Sequence, residues 1–154
     1  MRGDELMKVY IHNRKNQDEY EEAISVYSNR GKLLYSDYNR IKKKKEEMLK
    51  FEKTLTALLW GVKQFRQIAQ NGVVSETEPV SLFMCSQTIY HWLEKESCPR
   101  EYLPIFSDLQ MELSLMVNDL EIIYSKNTKA LYKSTQDKKI SMKSFMKEFK
   151  DFED

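Results

Sequence analysis

The stretch from Tyr20 to Ala69, YEEAISVYSNRGKLLYSDYNRIKKKKEEMLKFEKTLTALLWGVKQFRQIA, decides how the rest of the chain is read. Tyr20, Tyr27, Leu34, Ile41, Met48, Leu55, Val62 and Ala69 fall at every seventh position, and all are apolar or aromatic. A seven-residue repeat returns to one side of an α-helix after two turns, so a run this long predicts one continuous helix with a seam for a partner helix. Asn16 or Asp18 offers an N-cap, the acidic residues Glu19, Glu21 and Glu22 suit the positive end of the helix dipole, and Asn71-Gly72 reads as the stop.

The second seam position shifts along this stretch. Ile24, Gly31, Tyr38 and Lys45 follow the first set by four residues, whereas Phe51, Leu58 and Phe65 follow it by three. Gly31 and the basic run are therefore the weak turn of the seam. Beyond Gly72, Leu82, Cys85, Ile89 and Trp92 predict a second helix, and two prolines, Pro99 and Pro104, break the register after it. Phe106, Leu109, Leu113, Met116, Leu120 and Ile123 then predict a second long seam beside the first. Met142, Phe145, Phe149 and Phe152 predict a short amphipathic closing helix.

The expected fold is all-α: an extended antiparallel, coiled-coil-like helical bundle of two long helices and shorter ones. A poorly determined N-terminal arm would occupy residues 1–15, and a single domain residues 16–154, with helices near 16–70, 78–96, 104–134 and 141–152. With 154 residues the chain suits one domain, and seven Gly and Pro residues against 32% charged ones favour helices over turns.

Lys and Arg number 25 against 24 Asp and Glu, so the net charge of +1 gives no global signal for nucleic acid or membrane, and only local clusters can carry one. The chain start lacks a secretory-signal layout and no apolar run is long enough to span a bilayer, which leads to the expectation of a cytoplasmic protein, peripheral to membranes if it meets them. Cys85 and Cys98 are then expected to stay thiols.

Little in the sequence suggests catalysis. There are two histidines, His12 and His91, and no phosphate loop, nucleophile elbow or metal-spaced cluster; Cys85, His91 and Cys98 are spaced wrongly for zinc on a helix. No enzyme, metal or cofactor is expected. Arg40, Lys42, Lys43, Lys44 and Lys45, followed by Lys50 and Lys53, form the candidate site for an anionic surface. Few arginines and no stacking aromatics accompany them, so sequence-specific nucleic-acid recognition is disfavoured. Leu34, Ile41, Met48, Leu55, Leu58, Val62 and Phe65, with Leu109, Leu113, Met116, Leu120 and Ile123, are the candidate interface seam. In the tail, Lys138, Lys139, Lys143, Lys147 and Lys150 alternate with Met142, Phe145, Met146 and Phe149, a basic amphipathic pattern.

Two segments, KKKKEEMLKFEKTLTALLWGVKQFRQIAQ and FSDLQMELSLMVNDLEIIYSKNTKAL, resemble the first and second long helices of a sorting-nexin type BAR domain. That resemblance implies a curved helical dimer on anionic membranes, with Lys42 to Lys45, Lys50 and Lys53 facing lipid. The expected function is thus a non-enzymatic helical interaction module, binding membrane as a BAR-like dimer. The alternative is a structural or adaptor subunit whose seams meet helices of another protein.

Overall fold

The structure, a computed structural model, describes residues 6–16 and 19–124. Three antiparallel strands open it: β1 (Met7–Asn16), β2 (Glu19–Tyr27) and β3 (Leu33–Arg40). The period that governs β2 is two and not seven. Tyr20, Glu22, Ile24 and Val26 face one side of the sheet, while Ala23, Ser25 and Tyr27 face the other, and all of these are buried. Seven is an odd number, so a repeat that keeps Tyr20 and Tyr27 together on a helix puts them on opposite faces of a strand. The all-α fold is overturned at this point.

Gly31 explains itself in the same way. It is the hairpin residue between β2 and β3, with φ 85°, its N–H donating to Ser28 O, while Ser28 N–H donates to Lys32 O. The Ser28 hydroxyl also accepts from the N–H groups of Arg30 and Lys32, closing a turn that glycine enters without steric penalty. What reads as a weak helical turn is a strand reversal.

The chain leaves β3 through the lysine run and a 3-10 turn (Lys45–Glu47) and enters α1 (Glu52–Gln70). Here the sevenfold spacing is a true helical stripe: Leu55, Leu58, Val62, Phe65 and Ala69 are buried. Asn71-Gly72 ends α1 in a Schellman arrangement, with Gly72 N–H donating to Ala69 O and Val73 N–H to Ile68 O. Then follow β4 (Val80–Met84), α2 (Gln87–Lys95), a 3-10 turn (Arg100–Tyr102), α3 (Leu103–Ser114) and β5 (Leu120–Tyr124). The helices expected at 78–96 and 104–134 are each interrupted by a strand, because VSLFM and LEIIY are runs of β-branched or bulky residues that fit a sheet.

The five strands lie in the order β3-β2-β1-β4-β5, with β4 and β5 parallel to their inner neighbours. The architecture is α/β, not a coiled coil: α1 crosses one face of this mixed sheet, where Val9, Ile11, Ile24, Val26, Leu82 and Met84 share a core with Leu55, Leu58, Val62 and Phe65. The approach is close. A Cβ added at Gly61 would collide with Ile11 Cδ1, so a helix residue with no side chain lets α1 settle onto β1.

β1 lies in the stretch expected to be a loose arm, and it is the central strand. Of the expected seam, Leu109 is buried in α3, Leu113 and Met116 are half-buried, and Leu120 and Ile123 belong to β5. Leu34 sits in β3, while Ile41 is buried and Met48 half-buried in the connection before α1. These residues are spread over strands, helices and loops of one mixed fold; those of α1 and α3 pack together in its core, and the others belong to strands and connections. The closing helix at 141–152 and the basic tail from Lys138 lie outside the described residues. Among the described residues no helix is long and apolar enough to cross a membrane, and Cys85 and Cys98 form no disulfide.

Candidate functional site

β4 pairs with β1 only from Met7↔Val80 to Tyr10↔Phe83, and the chain then turns away at Ser86 into α2. Ser86 caps that helix, its hydroxyl accepting from Ile89 N–H at 3.2 Å. β1 continues past this point to Asn16, paired with β2 on its other side. The carboxyl ends of two parallel strands therefore border a notch, the position in open α/β sheets where ligands bind.

Beside the notch, on β1 and its neighbours β2 and β3, the α1 face of the sheet changes chemistry. Ile11 is the last apolar residue of β1 on that face, and Asn13 follows, its side-chain amide donating to Lys53 O at 2.9 Å and so pinning the first turn of α1. Glu22 is the register partner of Asn13 on β2, and Asn39 is its partner on β3. Asn39 donates to Glu22 Oε2 at 2.9 Å, while Oε1 is buried with no hydrogen-bond partner among the described residues. Burial raises the Glu22 carboxyl to about 7, against the lowering effect of the Asn39 bond.

Two residues away along β2, Tyr20 opens a cleft of about 360 Å³ together with Met48, Leu49, Lys50, Phe51, Lys53 and Thr54. Lys53 Nζ stands 4.5 Å from the centroid of the Tyr20 ring, and Lys50 Nζ 5.3 Å from that of Phe51. The wall behind them is fixed by aromatic packing. Phe51 meets Trp92 edge-on at 5.2 Å and Tyr102 at 6.0 Å, and its backbone N–H donates to the Tyr102 hydroxyl at 3.2 Å. Trp92 of α2 and Tyr102, just before α3, thus hold the start of α1 in place.

On the opposite sheet face His12 stacks on Tyr10, with Cys85 Sγ 3.7 Å from His12 Nδ1. Burial lowers the His12 imidazole to about 3, so it is neutral and cannot turn the neighbouring thiol into a thiolate by ion pairing.

The fold separates the basic residues that the sequence groups together. Arg40, at the end of β3, lies 3.4 Å from Glu19, and Lys43 bonds Glu52 at 2.8 Å. Burial alone would raise the Glu52 carboxyl, but the bonds from Lys43 and from Leu49 N–H, with the Lys43 charge, hold it below its ordinary value. Lys42 and Lys44 are exposed in the connection, Lys45 begins the 3-10 turn, and none of them rings a helix. Only Lys50 and Lys53 line the cleft. As site residues Tyr20, Asn13 and Glu22 escape a sequence reading because strand register, which no local spacing reveals, brings them beside α1; the alternation of Tyr20, Glu22, Ile24 and Val26 is the one local signal.

No protein-family model and no curated protein sequence matches the chain. Solved structures do. LC11-RNase H1 in complex with an RNA/DNA hybrid is similar with a TM-score of 0.64 and 12% identity, over 90% of this chain and 99% of that one. RNase H1 from the halophilic archaeon Halobacterium salinarum NRC-1 gives 0.62 and 11%, over 82% and 89%. The N-terminal RNase H domain of a Mycobacterium tuberculosis protein gives 0.57 and 11%, over 81% and 92%.

The likeness is one of fold, and it corrects several expectations. The resemblance to a BAR domain fails, since the structures similar to this chain are ribonucleases, whereas a BAR domain is built of helices alone. The non-enzymatic helical module, as BAR-like membrane binder or as adaptor, and the helical or membrane partners fall with the bundle that supported them. The expectation of no enzyme loses its ground as well, because the similar structures are RNase H1 enzymes. The disfavouring of sequence-specific nucleic acid belonged to the same set of helical and membrane partners, whereas one of the similar structures holds an RNA/DNA hybrid.

Nucleases that use two metal ions hold them with clustered oxygen ligands, carboxylates above all, about 3.5–4 Å apart. The donors at this notch do not fit that pair. Asn13 and Ser86 are neutral and engaged in bonds that shape the backbone, Thr54 is neutral, and Glu22 is a single carboxyl that burial favours in its protonated form. Among the described residues no three His, Cys, Asp or Glu side chains converge to hold a metal. No hydrolytic step through metal ions follows from these residues.

Proposed function

We propose that this chain engages nucleic-acid duplexes of the RNA/DNA hybrid type, along the cleft between the start of β2 and the start of α1. The observation that carries the reading is the likeness of nearly the whole chain to RNase H1, including a structure with a bound hybrid. The cleft supports it in chemical terms. Lys50 and Lys53 supply ammonium groups for backbone phosphates, and Tyr20 and Phe51 supply ring faces beside them. Contacts of this kind recognise backbone and helix shape, so the reading predicts preference among duplex types and tolerance of sequence.

Fluorescence anisotropy with a labelled RNA/DNA hybrid, and with DNA and RNA duplexes of the same sequence, tests it. The hybrid should bind most tightly, its affinity should fall steeply between about 50 and 200 mM salt, and a scrambled hybrid should bind equally well. Absence of hybrid binding at low salt would overturn the reading.

A further inference from the structure

We infer that strand binding in this cleft is independent of divalent cations, because the ammonium groups of Lys50 and Lys53, which line it, take the charge-neutralising place that metal ions would hold beside a phosphate. The inference rests on the nucleic-acid reading and adds to it the chemistry of the contact.

It starts from the donor set. A divalent ion gives up its hydration shell only for hard oxygen ligands, and a site compensates that loss with several ionised carboxylates at one point. Among the described residues on the α1 face beside Asn13 one carboxyl is present, Glu22, and Asn39 already occupies one of its oxygens. Burial favours its neutral form near pH 7, which weakens it further as a ligand. The flanking side chains, Asn13 and Ser86, direct their polar atoms to Lys53 O and Ile89 N–H.

The positive charge at the site is supplied by the chain itself. The Asn13 bond to Lys53 O fixes the first turn of α1, and the Lys53 ammonium is held over the Tyr20 ring. Lys50 lies one residue before Phe51, whose ring is wedged against Trp92 and Tyr102, so both lysine stems leave from anchored backbone. Neither lysine is paired with a carboxylate among the described residues, whereas Lys43 and Arg40 are. A phosphate entering the cleft meets two ammonium groups and gives up counterions to solvent, a binding contribution that needs no resident metal.

The experiment measures hybrid affinity for the full chain in Mg²⁺ and in EDTA at matched ionic strength. Equal affinity within roughly twofold is expected, and Lys50→Gln with Lys53→Gln should weaken it roughly tenfold or more in both buffers and flatten the salt dependence by about two phosphate contacts. Melting curves of the double variant that overlay the parent would assign the loss to the contact and not to the fold. Binding that appears only with Mg²⁺, or tightens roughly tenfold in it, overturns the inference and leaves hybrid recognition standing. Absence of binding in both buffers overturns hybrid recognition itself. A double variant that melts like the parent and binds like it removes the two lysines from the contact and overturns the inference.

Discussion

The two halves of β1 present opposite chemistry to the same helix. From Met7 to Ile11 the residues on the α1 face are hydrophobic, and α1 comes close enough that Gly61 has no room for a side chain. At Asn13 that face turns polar, with the Asn13 amide beside the carboxyl of its β2 partner Glu22, and α1 meets it with a backbone carbonyl and a lysine. The apolar half supplies burial free energy, while the polar half holds a buried carboxyl that costs stability when ionised. A polar patch that weakens a fold at the open end of parallel strands is where function is expected to sit.

The largest stability effect should come from the apolar half. Leu55→Ala empties a fully buried position under the sheet and should cost about 2–5 kcal/mol, read as a lowered midpoint in urea unfolding. An unchanged midpoint would remove α1 from the core. Gly61→Val should follow at about 1–3 kcal/mol, because the added atoms meet Ile11 in a packed interface. If the variant melted like the parent, the close approach of α1 to β1 would be wrong.

The polar half should answer to pH instead. Glu22 has a folded pKa raised from 4.5 to about 7, so its protonated form contributes stability that is complete below the unfolded value and lost as pH rises through the folded one. Glu22→Gln keeps an acceptor for Asn39 and removes the ionisation. The variant should gain stability over the parent at about pH 8.5 and lose that advantage at about pH 5, in paired denaturant titrations. On the other sheet face His12 works in the opposite sense: with a folded pKa lowered from 6.5 to about 3, its contribution is complete above 6.5 and fades as pH falls. A stability difference between Glu22→Gln and parent that ignores pH would place Glu22 in solvent.

The apolar half is partly legible in the sequence. Leu55, Leu58, Val62 and Phe65 mark a helical stripe by their spacing, and Asn71-Gly72 marks its end. The same heptad phase runs backward from α1 through β3 and β2, where strands satisfy it by coincidence: Tyr20 and Tyr27 share a heptad position but lie on opposite faces of β2. Short strands such as Val80–Met84 are buried on both faces, show no alternation, and so read equally as helix. The site is not legible, because Asn13, Glu22, Tyr20 and Lys53 converge through strand register and a helix packed across it, with Asn13 and Lys53 separated by 40 residues. Lys50 and Lys53 do stand among the sequence candidates, although the sequence places them on one long helix and the structure gives a cleft walled by rings.

The most direct test of the account is the affinity of an RNA/DNA hybrid for the parent and for a variant carrying Lys50→Glu and Lys53→Glu, measured by anisotropy at low salt. Charge reversal at the cleft should abolish measurable binding while the unfolding midpoint stays with the parent, since Lys50 is exposed and the Asn13 bond uses only the Lys53 backbone. A folded variant that binds the hybrid as tightly as the parent would contradict the account.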